Sequence, residues 1–250
     1  MKLNIIGSGN VATHLAINLA KNAEVLTVFS RDIQKAQDLA DKVDSIGVDK
    51  LSEVSLEADL TIVAVKDDVI QTVLSELPSD LKVVHTSGSV AIDVFENFDF
   101  HGVLYPLQTF RKDGEMELDE VPFLIEASSE GFANELKTFV HSFLSKNVDF
   151  ADSKKRKELH LAAVFASNFT VQMLIEAESL MKSNGHSFEL LIPLIKETIS
   201  NCINNGAANS LTGPAKRRDD KVIQEQLESL KSPELKNLYK VITERIISNS

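Results

Sequence analysis

Polar and apolar positions in the first half of the chain alternate between two periods. Short apolar runs at residues 3–6, 25–29, 60–65, 83–85, 102–104 and 123–125 predict β-strands, and the first of them have the near-continuous apolar character of strands covered on both faces. Between them, residues 11–21 and 33–43 carry apolar side chains at helical spacing, and Asp32 stands where it can cap the second stretch. Such alternation predicts an α/β fold built on a doubly wound, mostly parallel Rossmann sheet.

The pattern changes near residue 150. Residues 154–184 read as one long helix, free of glycine and proline until a stop at Gly185. A second helix spans 188–205 and is expected to bend or break at Pro193. A third covers 220–230, and Ser232-Pro233-Glu234 opens a fourth with a serine cap and a proline in the first turn. The expected organisation is a dinucleotide-binding domain at 1–150 and an all-helical substrate and dimerisation domain at 151–250. Residues 188–203 carry more apolar surface than one layer needs, which favours a homodimer.

Composition narrows the function classes. With 43% hydrophobic and 25% charged residues, the chain is neither disordered nor fibrous in type. A net charge of −11 argues against a general nucleic-acid or anionic-membrane surface. The one basic run, Lys154-Lys155-Arg156-Lys157, reads as a solvated helix start. No apolar run approaches the ~18 residues of a membrane span, and the apolar stretch that begins the sequence is too short for a signal peptide. The single cysteine, Cys202, has a helical setting and reads as a small buried thiol; no Cys/His cluster has zinc spacing, so no metal is expected. A reducing, cytoplasmic setting fits.

The chemistry begins at Gly7-Ser8-Gly9-Asn10-Val11-Ala12, a G-x-G-x-x-A turn between a strand and a helix. Gly7 makes the tight turn, Gly9 lets a pyrophosphate approach the backbone, and Ala12 permits close helix–strand packing. A diphosphate would sit at the helix N-terminus, against free N–H groups and the positive dipole end. NAD binders usually place a carboxylate after the second strand; here Ser30-Arg31 follow it. A hydroxyl and a guanidinium suit a 2′-phosphate, so NADP is favoured. Asp32 lies one residue on and leaves NAD open, although capping explains it better. Later strands end in Ala64-Val65-Lys66, in His85-Thr86-Ser87 and in Tyr105-Pro106-Leu107-Gln108, on the side of the sheet where ligands bind. Ala64, Val65, Lys66 and Ser87 are candidate cofactor contacts; His85, Tyr105 and Gln108 are candidate substrate contacts.

These motifs, with A-V-K-D-D at 64–68, H-T-S-G-S at 85–89 and Y-P-L-Q-T-F at 105–110, resemble NADP oxidoreductases that join a Rossmann-like domain to a C-terminal helical domain of unknown function. That group is similar to pyrroline-5-carboxylate reductases, deazaflavin-dependent NADP reductases and the wider 6-phosphogluconate dehydrogenase-like superfamily. The resemblance continues through 160–168 and 211–217 and covers nearly the whole chain, but it implies no particular substrate. Related dehydrogenases carry a Lys-x-x-x-Asn pair on the first helix of the second domain. Asn168 matches the asparagine, whereas Val164 stands at the lysine position.

Two readings follow. His160 lies about 12 Å along the helix axis from Asn168, on the same face of a regular helix, and is the side chain best suited to proton transfer near neutral pH. His160 and Asn168 are therefore the candidate catalytic residues. Imine reduction needs no strong acid, and the resemblance to pyrroline-5-carboxylate reductases suggests that Thr212-Gly213-Pro214 with Arg217 could clamp a substrate anion. The sequence thus predicts an NADP-dependent oxidoreductase moving hydride to a small C=N or C=O substrate in a cleft between the domains. The rival is a non-catalytic NADP-binding regulator or sensor, because a fold alone does not establish turnover.

Overall fold

All six expected strands form, and two short ones join them. The computed structural model describes residues 1–112, 114 and 116–249. Strands β1 (Lys2–Ile6), β2 (Glu24–Phe29), β3 (Ile46–Val48), β4 (Leu60–Val63), β5 (Val83–His85), β6 (His101–Pro106), β7 (Phe123–Ala127) and β8 (Val148–Phe150) make one sheet in the order β3-β2-β1-β4-β5-β6-β7-β8. All neighbours run parallel except β6 and β7. β3 (Ile46-Gly47-Val48) and β8 (Val148-Asp149-Phe150) are short and interrupted at their centres, so they leave no apolar run in the sequence.

Both faces of the sheet are covered, as the apolar strands require. Helices α1 (Asn10–Ala20) and α4 (Glu130–Phe143) bury Leu15, Leu19, Phe132, Leu136 and Phe139 with Leu3, Ile5 and Ile62. On the other side, α3 (Ile70–Glu76) buries Ile70, Val73 and Leu74 with Ile6, Val63, Phe95 and Phe98. Helix α2 (Ile33–Ala40) starts at Asp32, whose side chain accepts from the Gln34 and Lys35 amides, as expected of a cap. Three polar residues interrupt the apolar strands, and they lie side by side. Asn4 pairs with Thr27 on β2 and Thr61 on β4. The Thr27 hydroxyl donates to Asn4 Oδ1, and Asn4 Nδ2 donates to Thr61 Oγ1 and to the Ser55 carbonyl. A slip of one residue would break this set, so it fixes register as well as satisfying buried polar groups.

Residues Ser153–Ser183 form the long helix, with one defect. α5 (Ser153–Val164) and α6 (Thr170–Ser183) flank a π-turn at Phe165–Phe169. Gly185, at φ +74°, follows its end. By length and composition alone this helix would suffice to cross a membrane, although Ser167, Asn168, Thr170 and Gln172 break any continuous apolar run in it. Its first turn, however, is bonded into the sheet. Arg156, which the sequence suggested was solvated along with its lysine neighbours, is completely buried. Its guanidinium pairs with Glu126 on β7 and donates to the Val90 carbonyl. Ser153 adds hydrogen bonds from N and Oγ to the same carboxylate, at 2.9 and 2.7 Å. The lysines on either side remain exposed.

The chain divides into compact units at Met1–Gln172 and Met173–Ser250. The pattern change near 150 marks where helices take over from strands; the compact unit continues beyond it because the first turns of α5 are fastened to β7. In the second unit, α7 (Ile192–Asn205) carries Pro193 in its first turn, after a 3₁₀ segment at Phe188–Leu191. The proline therefore starts this helix instead of breaking it, at a position where no N–H is needed. Helices α8 (Ala207–Ser210), α9 (Pro214–Arg217), α10 (Asp220–Ser229) and α11 (Pro233–Ser248) follow, and Ser232 caps α11 through the Leu235 amide.

Replacing Arg156 by leucine leaves the Glu126 carboxylate without its cation. The expected loss is about 3–5 kcal/mol of unfolding free energy, read from urea denaturation. A double Arg156→Leu, Glu126→Leu variant should recover most of it, because removing both charges also removes the desolvation penalty. Equal stability of the single variant and the parent would contradict this role.

Candidate active site

A cleft of about 1140 Å³ opens along the C-terminal ends of the parallel strands. Every residue expected to hold the dinucleotide lines it: Gly7, Ser8, Gly9, Asn10, Val11, Ser30, Arg31, Ala64, Val65, Lys66 and Ser87. The turn after β1 accounts for its shape. Gly7 has φ +128°, and a Cβ there would stand 2.3 Å from the Ala64 carbonyl oxygen, so β1 and β4 can lie this close only with glycine at position 7. At Gly9 a Cβ would meet nothing within 4 Å, so the space above the backbone is open. No side chain caps the start of α1, and Ala12 is fully buried beneath it. An uncapped helix start above an open glycine is the cradle that a diphosphate requires.

At the adenosine end, the Ser8 hydroxyl donates to Ser30 Oγ at 2.9 Å. Arg31 is exposed on the cleft wall with Lys35 nearby in the lining. Asp32 is turned to its capping role and pairs with Lys35 at 3.2 Å. Its carboxyl is held below the usual range, first by the Lys35 side chain. That arrangement leaves a cationic rim with the carboxylate neutralised.

At the opposite end His160 reaches the cleft from α5. Its Nδ1 lies 2.9 Å from the Tyr105 hydroxyl. Burial raises the Tyr105 pKa. Gln108 also lines the cleft, with its Oε1 accepting from the Thr109 amide. His85 is fully buried in the sheet, stacked on Phe95 at 5.4 Å, with Nδ1 accepting from the Ser87 amide. Burial, aided by the charge of Arg156, pushes its pKa down to about 4. Ser87 Oγ accepts from the amides of Ser89 and Val90, so it shapes its own loop. Asn168 is exposed and does not line the cleft; it sits within the π-turn, which breaks the regular helical phase from His160. The neighbouring Ser167 is the residue that meets the β6 loop, 2.8 Å from Thr109 Oγ1. Thr212, Gly213 and Arg217 belong to the second unit, where Gly213, at φ +101°, opens the short α9 and Arg217 ends it.

One element of the site had no motif. On one face of α1, Asn10, His14 and Asn18 bond the backbone carbonyls of Phe110, Arg111 and Met116, at 2.8–3.0 Å. Lys21 continues the row with a salt bridge to Glu117. These side chains hold the segment after β6 against the phosphate-binding helix, with Phe110 in the cleft wall. Their spacing of four, four and three residues was visible in the sequence, but their partners are carbonyls, which any sequence would offer.

Comparison with known proteins places this geometry in a family. Residues 2–95 match the family of coenzyme F420-dependent NADP oxidoreductases, and residues 121–246 match a domain of unknown function, DUF2520. The chain belongs to the DUF2520 family. A Bacteroides fragilis protein solved as a candidate NADP oxidoreductase is 38% identical, with 99% of this chain and 98% of that one covered and a TM-score of 0.90. A Thermotoga maritima protein is 27% identical over 99% of this chain and 97% of its own, at a TM-score of 0.73. An imine reductase from Myxococcus stipitatus in complex with NADP+ shares the fold at 16% identity and a TM-score of 0.68, over 99% and 92% of the two chains. No curated protein matches the sequence. For this family member the cleft therefore fits NADP on its own residues: the open glycine cradle, the uncapped helix start and the cationic rim. Among the described residues no cluster suits a metal ion.

The depressed pKa of His85 gives a pH signature. The folded protein keeps this imidazole neutral to about pH 4, whereas the unfolded chain protonates it near its ordinary value of 6.5. Its contribution to stability is thus fully present above about 6.5 and is lost as the pH falls towards 4. The loss is on the order of 3 kcal/mol. His85→Asn, which can keep an acceptor for the Ser87 amide, should flatten that part of the curve. Parallel urea midpoints for the two proteins between these pH values would refute it.

Proposed function

We propose that this protein is an NADP-dependent reductase acting on a small C=N or C=O substrate, with His160 as the group that exchanges a proton with the substrate. The observation that carries the reading is that His160 stands in the wall of the same cleft as the glycine cradle. Bound NADPH would supply the hydride. Gly7, Gly9 and the start of α1 hold the diphosphate, and Ser30 and Arg31 take the 2′-phosphate. Ala64, Val65 and Phe110 give the cleft apolar walls that exclude water. His160 holds the proton that the substrate nitrogen or oxygen needs after its carbon is reduced, a task that Val164 cannot perform at the position where relatives of this superfamily carry lysine. Imine substrates fit a site without that lysine better than ketones do, because a protonated imine is already an electrophile.

Asn168 stays in the proposal as a candidate catalytic residue, and Thr212, Gly213 and Arg217 as candidate substrate contacts. A cytoplasmic homodimer is also proposed. Helix α7 exposes Leu194, Ile199 and Ile203, the last at 77%, which is more apolar surface than a monomer usually leaves in water. Light scattering should give about twice the chain mass of 27.6 kDa; the mass of a single chain at tens of micromolar would count against the dimer.

The enzymatic test is NADPH consumption across small imines, keto acids and aldehydes. Turnover of at least one class is expected, and His160→Ala should reduce it by roughly 10²–10⁴-fold, the usual worth of a positioned acid, while NADPH affinity changes little. Binding of NADPH without turnover on any class would favour a regulatory protein. Calorimetry tests the cofactor end: NADPH should bind more tightly than NADH, and Arg31→Ala should remove about 1.5–3 kcal/mol of that difference. Equal affinities in the parent protein would rule out the 2′-phosphate assignment.

A further inference from the structure

Tyr105 looked from the sequence like a substrate contact, but its hydroxyl is already engaged. It lies 2.9 Å from His160 Nδ1, and the two rings meet edge to face, with centroids 5.7 Å apart and planes at 73°. Tyr105 is only 8% exposed and does not line the cleft, whereas His160 does. A third residue makes the pairing possible. A Cβ at Gly88 would fall 2.7 Å from His160 Nδ1 and 2.8 Å from Tyr105 Cζ, so only a glycine lets both rings rest on the loop after β5.

We infer that Tyr105 is a positioning residue whose hydroxyl occupies Nδ1 of His160, so that proton exchange between His160 and a ligand in the cleft runs through Nε2 alone, with Gly88 as the seat of the pair. The inference rests on the proposed role of His160. A phenol suits this task because it is both donor and acceptor. When the imidazole carries its proton on Nε2, the hydroxyl donates to the bare Nδ1. When the imidazolium gives its Nε2 proton to the substrate, the Nε2–H bond breaks and an N–H or O–H bond forms on the substrate. The ring then becomes neutral with its proton on Nδ1, and the Tyr105 oxygen accepts it. The phenol stays un-ionised throughout. Burial favours that state, the nearby Arg156 opposes it and Asp67 supports it. Arg156 is itself paired with Glu126, and His85, on the neighbouring strand, stays neutral down to about pH 4.

The composition offers a selective probe. The chain has two tyrosines and no tryptophan. The other tyrosine, Tyr239, lies in the second unit and donates to Gln226. A Tyr239→Phe protein therefore has Tyr105 as its sole indole-free emitter. Its fluorescence should change with pH in a single step, at a pH where the phenol itself, with its raised pKa, stays un-ionised. Adding His160→Asn, whose amide can still meet Tyr105 but offers nothing at Nε2, should abolish the step. Adding Gly88→Ala should abolish it as well, by separating the rings. In the full protein, Tyr105→Phe should shift the pH profile of kcat while leaving the KM for NADPH unchanged. Emission that is flat with pH in the Tyr239→Phe protein, or a step that survives His160→Asn, would overturn the inference. If the step depends on His160 but His160→Asn turns substrate over at the parent rate, the proposed catalytic role fails and the hold of Tyr105 on Nδ1 stands.

Discussion

The site depends on where a single buried guanidinium is tied. Arg156 enters from the first turns of α5 and meets the Glu126 carboxylate on β7 with no solvent access. His160 stands four residues later, hence one helical turn further along the same face. Whatever fixes the rotation of α5 at Arg156 therefore also turns His160 towards the cleft. A hydrophobic contact could have held the helix to the sheet at less desolvation cost. It would not have specified one rotation and one depth, whereas a planar fork on a carboxylate specifies both. Ser153 reinforces this choice with two bonds to the same carboxylate, and through Oγ with the amide of Ile92.

Much of this was legible in the sequence, for identifiable reasons. Strands buried on both faces leave apolar runs, and a dinucleotide turn needs small residues at fixed spacing, so most of the sheet and the glycine turn could be read from the sequence. Strands β3 and β8 escaped because Gly47 and Asp149 interrupt their apolar residues, unlike the equally short β5. Arg156 was misread because charge in a run of lysines looks like a solvated face, and only the tertiary position of Glu126, thirty residues earlier, distinguishes it. The π-turn at Phe165–Phe169 was invisible for a similar reason. Residue spacing assumes a regular helix, and a one-residue defect changes which side chain faces the loop after β6, placing Ser167 there instead of Asn168.

Beyond His160 the last turn of α5 carries only hydrocarbon side chains. Val164 is half-buried one turn beyond His160. His160 stands one turn closer to the helix start, where Tyr105 and the Gly88 loop receive it. A histidinium is by nature a stronger acid than a lysine ammonium. It is adequate where the substrate arrives protonated and needs its proton balance adjusted near neutral pH.

The remaining polar groups of the cleft are unusually committed to one another. The Asn10 amide holds the Phe110 carbonyl, Ser87 Oγ accepts from two loop amides, Gln108 accepts from Thr109, and the Tyr105 hydroxyl is taken by His160. A side chain that already holds a hydrogen bond to its scaffold does not have to be ordered when a ligand arrives, so less binding energy is spent on organising it. By the same logic, these groups contribute little direct recognition. The chemistry offered to a ligand includes the amides above Gly9, Arg31 at the rim and the His160 ring. A wall whose polar atoms are internally satisfied repels few shapes by leaving a group unpaired, so such a cleft discriminates among small substrates mainly by fit and by charge.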